Sequence, residues 1–162
     1  MSPSDIGITD RNRSVSPAVG VVLLVAITVV IAGVVAASVG AWSLPSPGPN
    51  AAFSLAVETD GTVTIEHVAG DPVDVEELTV TVEVDGEPLA HQPPVPFVGA
   101  TGFENAPSGP FNAATESQWT TGERATFVVA STNEPTIEAG DEVTVRLAVD
   151  GQTVATLEAT AT

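Results

Sequence analysis

Val15-Ser16-Pro17-Ala18-Val19-Gly20-Val21-Val22-Leu23-Leu24-Val25-Ala26-Ile27-Thr28 opens a stretch with no charged side chain between Ser14 and Glu58. The apolar run continues to Trp42. From Ala18 it covers about 25 residues, which as a helix reach roughly 37 Å, enough to cross a bilayer with some tilt. It is apolar on every side, so a helix here needs burial all round. Thr28 and Ser38 can return their hydroxyls to helix carbonyls. Ser16-Pro17 is a start signal, with Ser as N-cap and Pro at the first helical position. Pro45, Pro47 and Gly48-Pro49 stop the helix.

Arg11 and Arg13 precede the run, and the next basic residue is Arg124. The positive-inside rule places the N-terminus in the cytoplasm and the C-terminal domain outside. Three readings compete on this pattern. A secretory signal would have a shorter apolar core ending in small residues, for which Ala36-Ala37-Ser38 is the candidate. A plain single-pass anchor fits the hydropathy. A filament subunit would be cleaved ahead of the run and keep its helix. Hydropathy alone favours the plain anchor.

Residues 13–32, Arg-Ser-Val-Ser-Pro-Ala-Val-Gly-Val-Val-Leu-Leu-Val-Ala-Ile-Thr-Val-Val-Ile-Ala, resemble the N-terminal signature of archaeal type IV pilins, especially the haloarchaeal ones. Ser16-Pro17, Gly20 and Ala26-Ile27-Thr28 fall at the family's places. A second patch points the same way. Ala52-Phe53-Ser54-Leu55, Thr62-Val63-Thr64-Ile65-Glu66-His67-Val68-Ala69-Gly70-Asp71 and Leu78-Thr79-Val80-Thr81-Val82 are similar to the family's early strands, with Ala69 in place of a Gly. The resemblance implies a class III signal peptide of residues 1–14, cut between Ser14 and Val15 beside Arg13 by a prepilin peptidase. Ser14 stands where the family more usually has Gly or Ala. The fifth residue from Val15 is Val19, not the glutamate of bacterial pilins.

The resemblance therefore implies a transmembrane or filament-core helix over 15–43. Its partners would be membrane lipid before assembly, then copies of itself or other pilins, together with the type IV pilus assembly machinery. Gly33 with Ala37, and Ala36 with Gly40, put small residues at four-residue spacing, which permits close helix approach. Small residues are also simply common in membrane helices.

The chain has 21 acidic and 4 basic residues, net charge −17 at pH 7. Asp5, Asp10, Arg11 and Arg13 cancel within the first 42 residues, so the whole net charge lies beyond Trp42. Such a surface repels nucleic-acid phosphate and anionic lipid, and nucleic acid is not an expected partner. Acidity without lysine suits high salt, where molar ionic strength shortens the Debye length to about 3 Å. With no cysteine, neither a disulfide nor a thiolate metal site is available. The sequon Asn12-Arg13-Ser14 falls in the leader and reads as chance.

Residues 44–51 read as a Pro/Gly/Ser linker, and 52–162 as an external domain. There the pattern switches to period two. Phe53, Leu55 and Val57 alternate with small residues. Val63, Ile65 and His67 follow the Asp60-Gly61 turn, Leu78, Val80, Val82 and Val84 alternate with Thr79, Thr81 and Glu83, and Val143, Val145, Leu147 and Val149 alternate with Thr144, Arg146 and Ala148. Phe127-Val128-Val129 and Val154 to Leu157 add strands, and Asp60-Gly61, Asp85-Gly86 and Asp150-Gly151 mark turns. The expected class is α+β: a long N-terminal apolar helix, then an all-β antiparallel sandwich of roughly seven short strands. Pro93 to Gln118 reads as a long irregular loop whose Phe97, Phe103 and Phe111, with Trp119 after it, cover one end of the sandwich or make a subunit or ligand contact. Packing is the favoured role.

No acid, base and nucleophile spacing connects His67 with His91, and no enzyme, cofactor or metal is expected. His67 reads as a structural hydrogen-bonding residue. Asp71, Asp74, Glu76 and Glu77 could hold a hard cation through oxygen but lack the spacing of a calcium loop, so they read as a solvated acidic face. The expected function is a structural pilin subunit in adhesive cell-surface filaments. The alternative is a membrane-anchored envelope protein whose acidic β domain binds a ligand or partner without polymerising.

Overall fold

A computed structural model describes residues 16–40 and 47–162. The chain divides into two units, Met1–Ser46 and Pro47–Thr162.

The described part of the first unit is one helix, α1, Pro17–Gly40. The Ser16 carbonyl accepts the N–H groups of Val19 at 2.9 Å and Gly20 at 3.3 Å, which closes the first turn. Pro17 has no N–H to satisfy there. The Thr28 hydroxyl donates to the Leu24 carbonyl and the Ser38 hydroxyl to the Val34 carbonyl, both at 2.8 Å. These bonds return each polar side chain to its own helix.

The second unit is a β-sandwich head. In chain order its strands are β1 (Ala51–Val57), β2 (Thr62–Gly70), β3 (Val73–Asp74), β4 (Leu78–Val84), β5 (Glu87–Pro88), β6 (Phe103–Ser108), β7 (Gln118–Trp119), β8 (Arg124–Val129), β9 (Glu142–Val149) and β10 (Gln152–Thr160). One sheet runs β1-β2-β8-β6, the other β10-β9-β4-β5, and β3 pairs with β7 as a two-stranded patch. All strand pairs are antiparallel. The sheets meet where β1 runs beside β10, and the Thr162 N–H reaches the Val57 carbonyl at 3.2 Å.

Period-two patterning decides which side chains go inside. Val63, Ile65 and His67 of β2 and, beside them in the same sheet, Ala125, Phe127 and Val129 of β8 are buried. From the other sheet come Val80, Val82 and Val84 of β4 with Val143, Val145 and Leu147 of β9. The Asp-Gly pairs do what their chemistry favours. Asp85 and Gly86 take φ of 50° and 81°, Asp150 and Gly151 take 49° and 77°. Positive φ at both central residues gives the turn whose twist matches two-residue hairpins. At Gly61, φ 86°, a Cβ would collide with the Val129 carbonyl oxygen, so the β1–β2 turn needs glycine for close approach as well as for φ.

The 93–118 segment is not an irregular loop throughout. It contains β6 and a 3-10 turn at Gly109–Phe111. β6 pairs with β8 through Phe103↔Val129 and Glu104↔Val128, then loses register before Ser108↔Thr126. Asn105 in that break has φ 57°. A strand so short and broken leaves no period-two signal in the sequence, which is why it reads as loop. Phe97, Phe103 and Phe111 are all buried, as the packing reading expected.

Candidate functional site

The first candidate is the surface of α1. Every side chain from Pro17 to Ser38 is exposed. Val21, Leu24, Val29 and Val30 each keep more than three fifths of their surface accessible, as no interior residue of a soluble fold does. Pro17–Ser38 is long and apolar enough to cross a membrane. Gly33, Ala36 and Ala37 lie open on this helix, and no atom lies within 4 Å of where a Cβ on Gly33 would sit. Gly40 is its last residue. At 100° per residue, positions 33, 36, 37 and 40 fall within an arc of about 100°, a narrow smooth stripe. Arg13, Ser14 and Val15 lie outside the described residues, as does Trp42.

The second candidate is the polar and aromatic interior of the head. The five phenylalanines join Trp119 and His67 in one continuous ring chain. Centroid separations run from Phe97–Phe103 at 5.6 Å, through Phe103–Phe127 at 5.7 Å, Phe127–Phe111 at 6.2 Å and Phe111–Trp119 at 5.1 Å, to Trp119–Phe53 at 4.8 Å. Phe53 stacks on His67 at 4.9 Å. His67 is wholly buried, its Nδ1 3.2 Å from the Trp119 carbonyl and its Nε2 3.1 Å from the Ala69 carbonyl. It therefore stitches β2 to β7, the structural role the sequence suggested. Trp119 Nε1 donates to the Glu123 carbonyl, whose carboxylate in turn accepts from the Thr120 N–H and hydroxyl.

His91 does not join His67; it is exposed. Its backbone is held by Asn133, a buried side chain that sequence reasoning missed. Asn133 accepts the His91 N–H and donates to the carbonyls of His91 and Gly102. An isolated Asn in a Ser-Thr-Asn-Glu-Pro stretch carries no signal of burial. Gln92 was also missed. Its amide bonds both the N–H and the carbonyl of Val82, continuing the β4 edge where β5 ends.

The acids near β3 act on backbone. Asp71 accepts the Asn50 N–H and Asp74 the Glu76 N–H. Among the described residues no three His, Cys, Asp or Glu side chains converge on one point. One shallow cleft of about 230 Å³ lies beside the β1–β2 turn, lined by Asp60, Glu104, Ser131 and Thr136 among others. Asp60 is occupied by its own turn: the Thr62 hydroxyl first, then the Thr62 N–H at 2.9 Å, hold its carboxyl below the ordinary 3.8. Nothing in the cleft pairs a nucleophile with a base.

Comparison with known proteins bears on the helix and the linker to the head. Residues 13–53 match the family model of the archaeal type IV pilin N-terminal region, in agreement with the resemblance read from the sequence. A stretch of 74 residues is 38% identical to an uncharacterized protein of Archaeoglobus fulgidus, covering 44% of this chain and 52% of that protein. The match thus spans about half the length of that relative.

Proposed function

We propose that this chain is a structural pilin subunit of a high-salt archaeon. It is made with residues 1–14 as a cytoplasmic leader, held in the membrane by α1 with Arg11 and Arg13 inside, and cut between Ser14 and Val15 by a prepilin peptidase. The pilus assembly machinery then moves α1 from lipid into a bundle of its own kind, leaving residues 52–162 as the outward head of an adhesive filament. One observation carries the reading. A helix exposed on every side lies in the segment that matches the pilin family model. A lone helix that is apolar all round cannot cover its own surface, so the burial it needs comes from lipid or from other helices. In a filament core each Å² hidden from water stabilises by roughly 25 cal/mol. The small-residue stripe of Gly33, Ala36, Ala37 and Gly40 suits the close packing of such a bundle. The matched family is structural.

The test is intact mass and N-terminal sequencing of the protein from its native membrane, with a Ser14→Asp variant alongside. The expected mature chain starts at Val15, and Ser14→Asp accumulates the uncut precursor and no filaments. A start near Val39 would mean ordinary secretion. A mature chain that keeps Met1 would mean the plain anchor with a binding head.

A further inference from the structure

The head distributes its charge unevenly. Carboxylates gather in turns, among them Asp60, Asp71, Glu76, Glu77, Asp85 and Asp150. The outer face of the β10-β9-β4-β5 sheet is different. Register lays its outward residues out as three rows: Thr79–Ala148–Thr153, Thr81–Arg146–Thr156, and Glu83–Thr144–Glu158. Arg146 stands at the centre, exposed, with a threonine on either side. Of the two described arginines, Arg124 is satisfied on the opposite sheet, its Nε 2.8 Å from Glu66 Oε2 in a directly opposed cross-strand pair. Arg146 makes no ion pair or hydrogen bond with any described residue; Glu83 and Glu158 lie one row away and do not reach it.

From this we propose that the Arg146 face is a docking surface for a second copy of this chain, which places an acidic turn of its head on Arg146. The inference rests on the pilin reading for the presence of neighbouring copies. Charge complementarity selects the occupant. A head carrying 19 carboxylates and two arginines repels its own kind over most of its surface. In the row Thr81–Arg146–Thr156 an unengaged guanidinium between two threonines is where a carboxylate gains, through paired N–H donors and the threonine hydroxyls, and the Glu83 and Glu158 row confines the contact to that spot. The contact joins a sheet face on one copy to a turn on the next. Such unlike-patch contacts build rings or, where the rotation does not close, open helical filaments instead of two-fold dimers.

The chain has no cysteine, so one introduced thiol reports cleanly. The full chain carrying Thr153→Cys, one row away from Arg146, labelled with a maleimide-benzophenone, is photolysed on cells and the adduct mapped by mass spectrometry. A parallel Val29→Cys chain reports helix–helix proximity by disulfide formation. The expected adduct joins the label to an acidic turn of another copy. Arg146→Glu lowers its yield roughly ten-fold or more by setting like charges together, and Arg146→Lys restores most of it. Arg146→Gln, which leaves the sheet face uncharged, gives an intermediate loss and stands in if the Glu variant does not fold. Helix disulfides with no head adduct, or with an adduct to another protein or to the partner's own Arg146 face, overturn the docking surface and leave the filament reading standing. Loss of both signals overturns both.

Discussion

The helix and the head use the same side chains to opposite ends. In α1 the valines from Val19 to Val35 are exposed on every side, whereas in β4 and β9 Val80, Val82, Val143 and Val145 have at most 1% of their surface accessible. The difference lies in what pairs with them. A β-strand with alternate apolar residues finds its partner in the facing sheet of the same chain, and the head closes its own core. A helix apolar all round offers more surface than one neighbour can cover, so its partner lies outside the unit. The head can therefore be judged by its own stability, and the helix only by what it associates with.

The largest blow to the head would be Trp119→Ala. Trp119 is wholly buried and touches Phe53, His67 and Phe111. Its removal is expected to cost about 3–5 kcal/mol, read as a lowered denaturant midpoint of the head's transition, with retention in the membrane unchanged. A midpoint within error of wild type would mean that the ring chain is not the centre of the core.

A matched pair sharpens the contrast. Val145→Ala removes two buried methyl-sized groups and is expected to cost about 2 kcal/mol. Val25→Ala removes the same atoms from an exposed position of α1 and is expected to leave the head's midpoint unmoved. Equal effects from both would show that the helix contributes to the head's folding.

The smallest expected effect is electrostatic and belongs to the head alone. Asp60 has its carboxyl lowered by the Thr62 hydroxyl and N–H. A folded value below the unfolded one gives stability that is fully present above pH 3.8 and lost as pH falls through the lowered value. Asp60→Asn is expected to be slightly less stable than wild type near neutrality, the gap narrowing below pH 3.8. Asp60 is fully exposed, so the effect is small. A gap that widened on acidification would contradict the assigned hydrogen bonds.

How much was legible follows from how local each signal is. The helix start at Ser16-Pro17, the strand from Leu78 to Val84 and the turns at Asp85-Gly86 and Asp150-Gly151 are written in neighbouring residues, and the structure has them where the sequence put them. β6 was not legible because its register breaks at Asn105 and its pairing to β8 joins residues some twenty apart. Asn133 and Gln92 were missed for the same reason: their partners are backbone groups supplied by other parts of the chain.

Sequence by itself determined the apolar helix, the pilin-like signature, the acidic head and its antiparallel strands, since each depends on periodicity or composition within a short window. Tertiary structure alone decided that His67 joins β2 to β7 and that Phe97 and Phe111 belong to one core. It also decided that Arg124 meets Glu66 while Arg146 forms no ion pair or hydrogen bond among the described residues. Those outcomes depend on which strands become neighbours, and neighbours in a sandwich are chosen by the packing of whole faces.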